Sequence, residues 1–430
     1  MALTPQQKQK KNERKKKNRK EKIQLEGKRK IEIEFVEATP EESMLMQPGL
    51  WTFLSTKETK TLLKTLAREL PKSRSNNHKN HYEMLRLSIF MIMGGFSSPE
   101  DFMEKTSEFE RAAYGIEMGV STFYDWLERI KDCGEIFEHA VKESAALYLR
   151  HQQKDKKSLV IDIDASYRES KTSWCNWDYK GDHSFRIMFT HASKEKCGAK
   201  AILKVSVDPG NTSPQKDLPE IVEELAEKHP IDFVRMDSAG YNHKITNMLD
   251  KKGIPWLIGG DCDESTLATI GTIDSKSFTK YTTNEGIVSD DLIAMTGHAM
   301  NKSDQGFALV VKKALRSSKN SVQSTLFDMT GNTYKILPLA VSSKFAENKT
   351  AEELRQLYEL RGGQEASISQ FKQLYEVKAK ESREKTEVWV RLLALAYNLS
   401  LYFMRNYAQK KTLTLPDIFT PTYRLYPAGL

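Results

Sequence analysis

The chain has 430 residues, and at ~150 residues per domain that length allows two or three units rather than one small core. Hydrophobic residues make up 39% and charged residues 29%, which excludes a mostly disordered or collagen-like chain. The net charge is +8, yet residues 1–30 hold 13 Lys/Arg against 3 Glu, so the remaining 400 residues carry −2.

That basic arm has too little apolar surface to fold alone. It suits either a solubilising tail or a segment that follows phosphates by releasing their counterions. No apolar run follows its lysines, so a secretory signal is not expected. The four cysteines (Cys133, Cys175, Cys197, Cys262) form no C-x-x-C pair. A disulfide scaffold, a thiolate zinc site and a thioredoxin-type site are therefore not expected, and reduced thiols in a cytoplasmic protein are. The most apolar stretch, Val388 to Met404, is interrupted by Arg391, Asn398 and Ser400. It is short of the ~20 residues of a membrane span and reads as a buried helix.

In chain order, residues 31–56 read as an irregular lead-in. Residues from Lys57 to about Tyr148 carry helical apolar patterns. Gly94-Gly95 stops one helix, Ser98-Pro99-Glu100-Asp101 starts another, and Ser121 is the expected cap of a third. Short helices with tight turns suit a helix-turn-helix-like DNA-binding module or a purely structural helical domain. At Ser158 the period changes. Leu159 to Asp164, Phe185 to Thr190 and Ala201 to Val207 read as strands, and Asp217 to Lys228 as a helix. Phe233 to Asp237 is a further strand, His243 to Lys251 a short helix and Pro255 to Ile258 a strand. That order matches a ribonuclease-H-like α/β core. Residues 264–345 read as a β-rich insertion, with strands at Phe278 to Tyr281, Phe307 to Lys312, Ser324 to Phe327 and Tyr334 to Val341. Gly331-Asn332 marks a hairpin. Helix is expected again from Thr350 to about Tyr375 and from Thr386 to Asn406.

Two features could carry chemistry. Asp164 and Asp237 would lie at adjacent strand ends, where two carboxylates can hold Mg²⁺, a hard ion that prefers oxygen ligands. A pair of such ions ~3.5–4 Å apart suits in-line phosphoryl transfer. The second feature is Tyr358, Arg361, Glu365 and Lys372, at offsets of three, seven and fourteen residues. On a continuous helix these fall within ~60° of one another, one face with a hydroxyl, a guanidinium, a carboxylate and an ammonium. The acid can complete a metal site, and the two cations can hold phosphates. A plain solvated face is the competing reading, but Gly362-Gly363 would cost such a helix ~1 kcal/mol each.

The Tyr-x₂-Arg-x₃-Glu-x₆-Lys spacing resembles the signature of DDE transposases of bacterial insertion sequences, the cut-and-paste branch. Ile163-Asp164-Ala165-Ser166 resembles the first Asp motif of that family. Arg235-Met236-Asp237-Ser238-Ala239-Gly240-Tyr241 resembles the second, with an extra Ala before the glycine. The resemblance runs from about residue 45 to 410. It implies that Asp164, Asp237 and Glu365 are catalytic and bind two Mg²⁺, with Mn²⁺ able to substitute. It also implies that Arg361 and Lys372 hold phosphates beside the cut, with Tyr358 on the DNA backbone. Water would cut at the transposon end, and the freed 3′-OH would then join target DNA. The implied partners are terminal inverted repeats, target DNA and a second copy of the chain.

The resulting division is a basic arm and lead-in (1–44), a helical DNA-binding domain (45–150), the first part of the core (151–263), the β-rich insertion (264–345), the second part of the core (346–410) and a tail (411–430). Asp162 lies on the same strand face as Asp164. The Asp-x-Ser context favours Asp164 as the first acid. Val160 to Ser166 also fits the Asp-x-Asp pattern of haloacid-dehalogenase-like phosphatases, with Asp162 as nucleophile. A DNA-binding protein derived from a transposase, without catalysis, is the third reading. His78 and His81 lack further zinc ligands, residues 261–264 suit a solvated turn, and Trp256 suits core packing.

Overall fold

In the computed structural model the described residues are 53–72, 80–96, 98–106, 111, 119–152, 158–195, 199–315, 325–327, 333–361 and 379–407. Their helices, in chain order, are α1 (Lys57–Glu69), α2 (His81–Met93), α3 (Pro99–Lys105), α4 (Val120–Ile130), α5 (Gly134–Arg150), α6 (Leu218–Lys228), α7 (His243–Lys251), α8 (Glu264–Gly271), α9 (Ser343–Ala346), α10 (Ala351–Glu359) and α11 (Arg383–Tyr407). Ser98 caps α3 from Oγ to the Asp101 amide at 3.1 Å, with Pro99 in the first turn. The cap of α4 is Gly119, which offers no side-chain oxygen, so the expected role of Ser121 is not met: it lies inside the first turn.

One sheet dominates. Its central strand β1 (Leu159–Glu169) begins Leu-Val-Ile-Asp-Ile, a run suited to burial on both faces. β2 (Asn176–Trp177), β3 (His183–Ser193) and β4 (Ala201–Pro209) follow. β3 pairs antiparallel with β1, and β2 and β4 pair antiparallel with β3. β5 (Ile231–Met236) lies parallel to β1 on its other side, and β6 (Trp256–Gly259) parallel to β5. The order β4-β3-β1-β5-β6, antiparallel on one side of β1 and parallel on the other, is compatible with a ribonuclease-H-like core.

The sheet does not stop there. β7 (Thr279–Thr282), β8 (Val288–His298), β9 (Phe307–Leu315), β10 (Thr325–Phe327) and β11 (Thr333–Ser342) join it through β11, which runs antiparallel to β6. β9, β8 and β7 follow outward, and β10 pairs with β11. The eleven residues of β8 escape sequence reading, because Ser289, Asp290 and Asp291 break the apolar alternation near its start. The expected turn at Gly331-Asn332 lies outside the described residues, although β10 and β11 pair antiparallel on either side of it. Trp256 is core, fully buried, with its indole N–H donating to Asp250 at 2.7 Å.

The helices divide unequally over the faces. α10 and α9 cover one face through a small cluster that includes Val160, Phe233, Leu257, Val310 and Leu354. The larger cluster runs without a break from Phe53 in the N-terminal helices, through the sheet, to Phe403 in α11. α11 is about 37 Å long at 1.5 Å per residue and packs on α5 and β4. No helix among the described residues is long and apolar enough to cross a membrane.

The polar interruptions of the Val388–Met404 stretch become intelligible here. Arg391 pairs with Glu138 of α5 at 3.1 Å and with Glu387 at 2.7 Å. Asn398 is fully buried. Its Oδ1 accepts from the Ile202 amide at 2.8 Å, and its Nδ2 donates to the carbonyls of Ile202 (2.8 Å) and Val141 (3.2 Å) and to Ser144 Oγ (3.0 Å). One side chain thus completes the backbone bonding of β4 and α5. Asn398→Leu should keep the volume but orphan buried donors and acceptors. We expect a loss of about 3 kcal/mol, read as a lowered urea-unfolding midpoint.

Candidate active site

The candidate site is founded on strand register. β1 and β5 pair Asp162 with Arg235 and Ile163 with Met236. Continuing that register by one residue sets Asp164 beside Asp237, about 5 Å away. Asp237 follows the end of β5 as expected, but Asp164 is not at a strand end, because β1 keeps its pairing with β3 for five more residues, to Glu169. Asp162 is fully buried. Its carboxylate takes Arg235 Nε at 2.6 Å and Nη2 at 3.0 Å on one side and the Lys200 ammonium on the other. Burial opposes its charge, but Lys200 and Arg235 outweigh it and hold the carboxyl below its ordinary value. A carboxylate enclosed this way has no open face for a substrate, so the phosphatase reading with Asp162 as nucleophile is not favoured.

Arg235 also reaches the opposite layer, donating from Nη1 to the Leu357 carbonyl of α10 at 2.5 Å. α10 begins at a capping box: Thr350 Oγ1 accepts the Glu353 amide at 3.1 Å, and Glu353 accepts the Thr350 amide at 2.8 Å. The outer strands grip its other side. Tyr281 of β7 donates to Glu359 at 2.5 Å, Lys312 of β9 pairs with Glu359 at 3.1 Å, and Gln356 donates to the Thr282 carbonyl at 2.8 Å. Near its end, Tyr358 donates its hydroxyl to the Met236 carbonyl at 3.2 Å, one residue before Asp237. A Cβ on Gly259 would come within 2.9 Å of that hydroxyl, so glycine at the end of β6 makes room for it.

α10 stops at Glu359. The expected continuous helix is not seen across Arg361, whose amide closes a tighter turn onto the Tyr358 carbonyl at 2.9 Å. The glycine pair that follows explains a stop there, since glycine costs a helix interior ~1 kcal/mol. Arg361 is nearly buried and pairs with Asp164 at 2.8 Å. Burial disfavours its charge, yet Asp164, then Tyr358 and Asp237, raise the guanidinium above its ordinary value. Asp164, Asp237, Tyr358 and Arg361 are thus brought together. Glu365 and Lys372 lie outside the described residues.

Asp237 caps the short 3₁₀ turn Ser238–Gly240 through the Ala239 amide at 3.1 Å and opens on a cleft of about 800 Å³. Ser166, on the same face of β1 as Asp164, also lines the cleft, and its buried hydroxyl has no partner among the described residues. Sequence reading missed Lys200 and Arg235, although Asp162 in an apolar strand signals that a buried cation must exist. Asp261, read from the sequence as part of a solvated turn, borders the same cleft. Partial desolvation raises that carboxyl, with Asp263 and Asp237 adding repulsion against the hydrogen bond from Ser238. Asp263 is not a free turn residue but the cap of α8, accepting the Thr266 amide at 2.7 Å. His78 lies outside the described residues, and His81 is engaged by the Pro71 carbonyl and the Trp126 indole.

A family model described as "Transposase DDE domain group 1" matches residues 42–420. The chain belongs to this transposase family. A search of curated proteins finds no match. The match covers most of the chain, including Asp164 within β1, Asp237 just past β5 and the α10 segment that brings Arg361 to Asp164.

Two outcomes test this geometry. Asp162→Asn should leave Lys200 and Arg235 facing a neutral amide and cost about 3–5 kcal/mol, measured as a fall in the unfolding midpoint at pH 7.5. His191, directly opposite Asp162 on β3, is pushed down to about 3 by burial and then by Lys200, against the pull of Asp162. Its contribution is full above the unfolded value of about 6.5 and disappears as pH falls toward its native value. Between pH 7.5 and 5 we expect His191→Gln to lose about 2 kcal/mol less stability than the parent transposase. His229 and His298, also held down by burial, remain in both proteins and cancel from the comparison.

Proposed function

We propose that the protein is a cut-and-paste transposase that cuts DNA at the terminal inverted repeats of its element and joins the 3′-OH ends to target DNA. The observation that carries this reading is the register of the parallel strands β1 and β5, which sets Asp164 within β1 beside Asp237 just past β5, with Arg361 paired to Asp164, in a chain of the DDE transposase family.

Asp164, Asp237 and Glu365 would hold Mg²⁺. The donor set fits a hard cation: carboxylate oxygens, with the orphaned Ser166 hydroxyl nearby. Glu365, which lies outside the described residues, would supply the third carboxylate. When bound, divalent ions would lower the barrier to attack on a phosphodiester by neutralising charge on the attacking and leaving oxygens. The chain's own contribution is placement. The parallel register fixes two carboxylates, α10 fixes Arg361, and Arg361 and Lys372 would then hold the phosphate that flanks the scissile bond in a bidentate and a point-charge manner respectively. Tyr358, whose hydroxyl is on the Met236 carbonyl, would meet the DNA backbone with its ring edge while setting the height of α10 over β5.

The N-terminal helices and the basic residues 1–30 would bind the terminal repeats by phosphate contacts, and two copies would pair two ends. The absence of a catalytic acid would favour a purely DNA-binding derivative, but Asp164, Asp237 and Glu365 are all in the sequence.

The test is strand cleavage of a DNA fragment carrying the inverted repeats that flank the gene. With Mg²⁺ the wild type should nick at the repeat ends. Asp164→Asn, Asp237→Asn and Glu365→Gln should each reduce the rate by about a thousandfold, the equivalent of roughly 4 kcal/mol of lost charge stabilisation. Full cleavage by Asp164→Asn with loss in a correctly folded Asp162→Asn would reverse the assignment of the first acid.

A further inference from the structure

The rim of the Asp237 cleft carries two large aromatic rings that the fold does not bury. Trp177 is 62% exposed and Tyr179 75% exposed. Both lie in the β2–β3 hairpin, and both line the cleft together with Lys180, the 210–215 loop, Asp237 and Asp261. Rings left in water at one wall of a polar cleft lose burial energy that a core position would recover, so they call for an occupant.

The hairpin holds them still. Asp178 Oδ1 accepts the amides of Lys180 (2.8 Å) and Asp182 (3.1 Å), and its Oδ2 accepts from Ser184 at 3.0 Å. Gly181 supplies the left-handed backbone that closes the turn, with φ of 84°. Below, Gly210 lets the loop after β4 approach so closely that a Cβ there would stand 2.6 Å from the Asn176 carbonyl. The facing loop is equally fixed, since buried Arg186 donates to the Ser213 carbonyl at 2.6 Å and pairs with Asp208 at 2.6 Å and with Asp217. Each ring has an aromatic neighbour: the centroids of Tyr167 and Tyr179 lie 5.3 Å apart and those of His183 and Trp177 5.6 Å apart, both pairs nearly perpendicular. Lys180 places its ammonium over the Tyr179 ring, 5.5 Å from its centroid, a cation at an exposed π system.

We propose that Trp177 and Tyr179 form a stacking platform for an unpaired nucleobase of the DNA strand that enters the Asp237 cleft, with Lys180 facing the adjoining phosphate. The proposal rests on the transposase reading of the cleft and adds a strand-separated nucleotide as its occupant. A planar base matches an exposed indole and phenol in shape, a phosphate matches the ammonium in charge, and the platform is continuous with the cleft that Asp237 lines. Stacking tolerates any base, so this subsite would select unpaired structure rather than sequence.

The test uses the full chain in Mg²⁺-free buffer with two fluorescent probes: a duplex with a short single-stranded tail containing 2-aminopurine, and the same duplex fully paired. The wild type should bind the tailed duplex more tightly and quench 2-aminopurine. Trp177→Ala and Tyr179→Ala should each weaken tailed binding by about tenfold and relieve the quench, with unchanged thermal midpoints and unchanged affinity for the paired duplex. Trp177→Phe should restore part of both signals, whereas a platform with a merely structural role would not discriminate the two probes. Equal affinities of parent and variants for the tailed probe, or equal losses on both probes, would overturn the platform while leaving the transposase reading intact. A wild type that binds neither probe would overturn both. Conversion of a dimer to monomer by these variants, with quenching preserved, would instead make the rings a contact between copies and end the proposal.

Discussion

The buried pairing of Asp162 with Arg235 sets the positions of the groups around it. These residues are direct cross-strand partners of β1 and β5, and Asp164 and Asp237 sit two residues further along the same strands. An attractive charge pair therefore lies one layer beneath a repulsive one. The lower layer supplies Arg235 and Lys200, and the upper layer draws in Arg361. The same Arg235 guanidinium reaches α10, so the strand register and the seat of the Arg361-bearing segment are settled by one side chain.

The outer strands acquire a purpose in this arrangement. β7 and β9 hold α10 through Tyr281, Thr282 and Lys312, on the side away from β1 and β5. A short helix of nine residues would be marginal alone. Here it is held from both sides, with Glu359 taking Arg355, Lys312 and Tyr281 at once. The long sheet thereby acts as a continuous shelf from Asp164 and Asp237 to the element that brings Arg361 to them.

Much of this could be read from residue pattern, for identifiable reasons. An acid that follows an apolar run is a local statement, so Asp164 and Asp237 stand out in the chain, although β1 continues past Asp164 to Glu169 because β3 goes on pairing with it. Ser98-Pro99 and Thr350 through Glu353 announce helix starts because capping is local chemistry. Lys200 and Arg235 do not stand out, since nothing within a few residues tells a lysine that its partner lies 38 positions away. The stop of α10 at Glu359 was obscured for a related reason: offsets of three, seven and fourteen are helical arithmetic, and only the pull of Asp164 on Arg361 and the cost of Gly362-Gly363 decide against continuation. β8 was missed because its early polar residues face solvent at the outer part of the sheet, where period-two alternation weakens.

Asn398 brings a further consequence. A lone carboxamide in α11 closes bonds from β4 and from α5, elements that lie almost two hundred and more than two hundred and fifty positions upstream. The Ile202 amide is therefore secured by a residue that is translated 196 positions later. During synthesis on the ribosome, β4 must wait with that donor unsatisfied until α11 emerges, so the chain cannot finish its core piecemeal from the N-terminus.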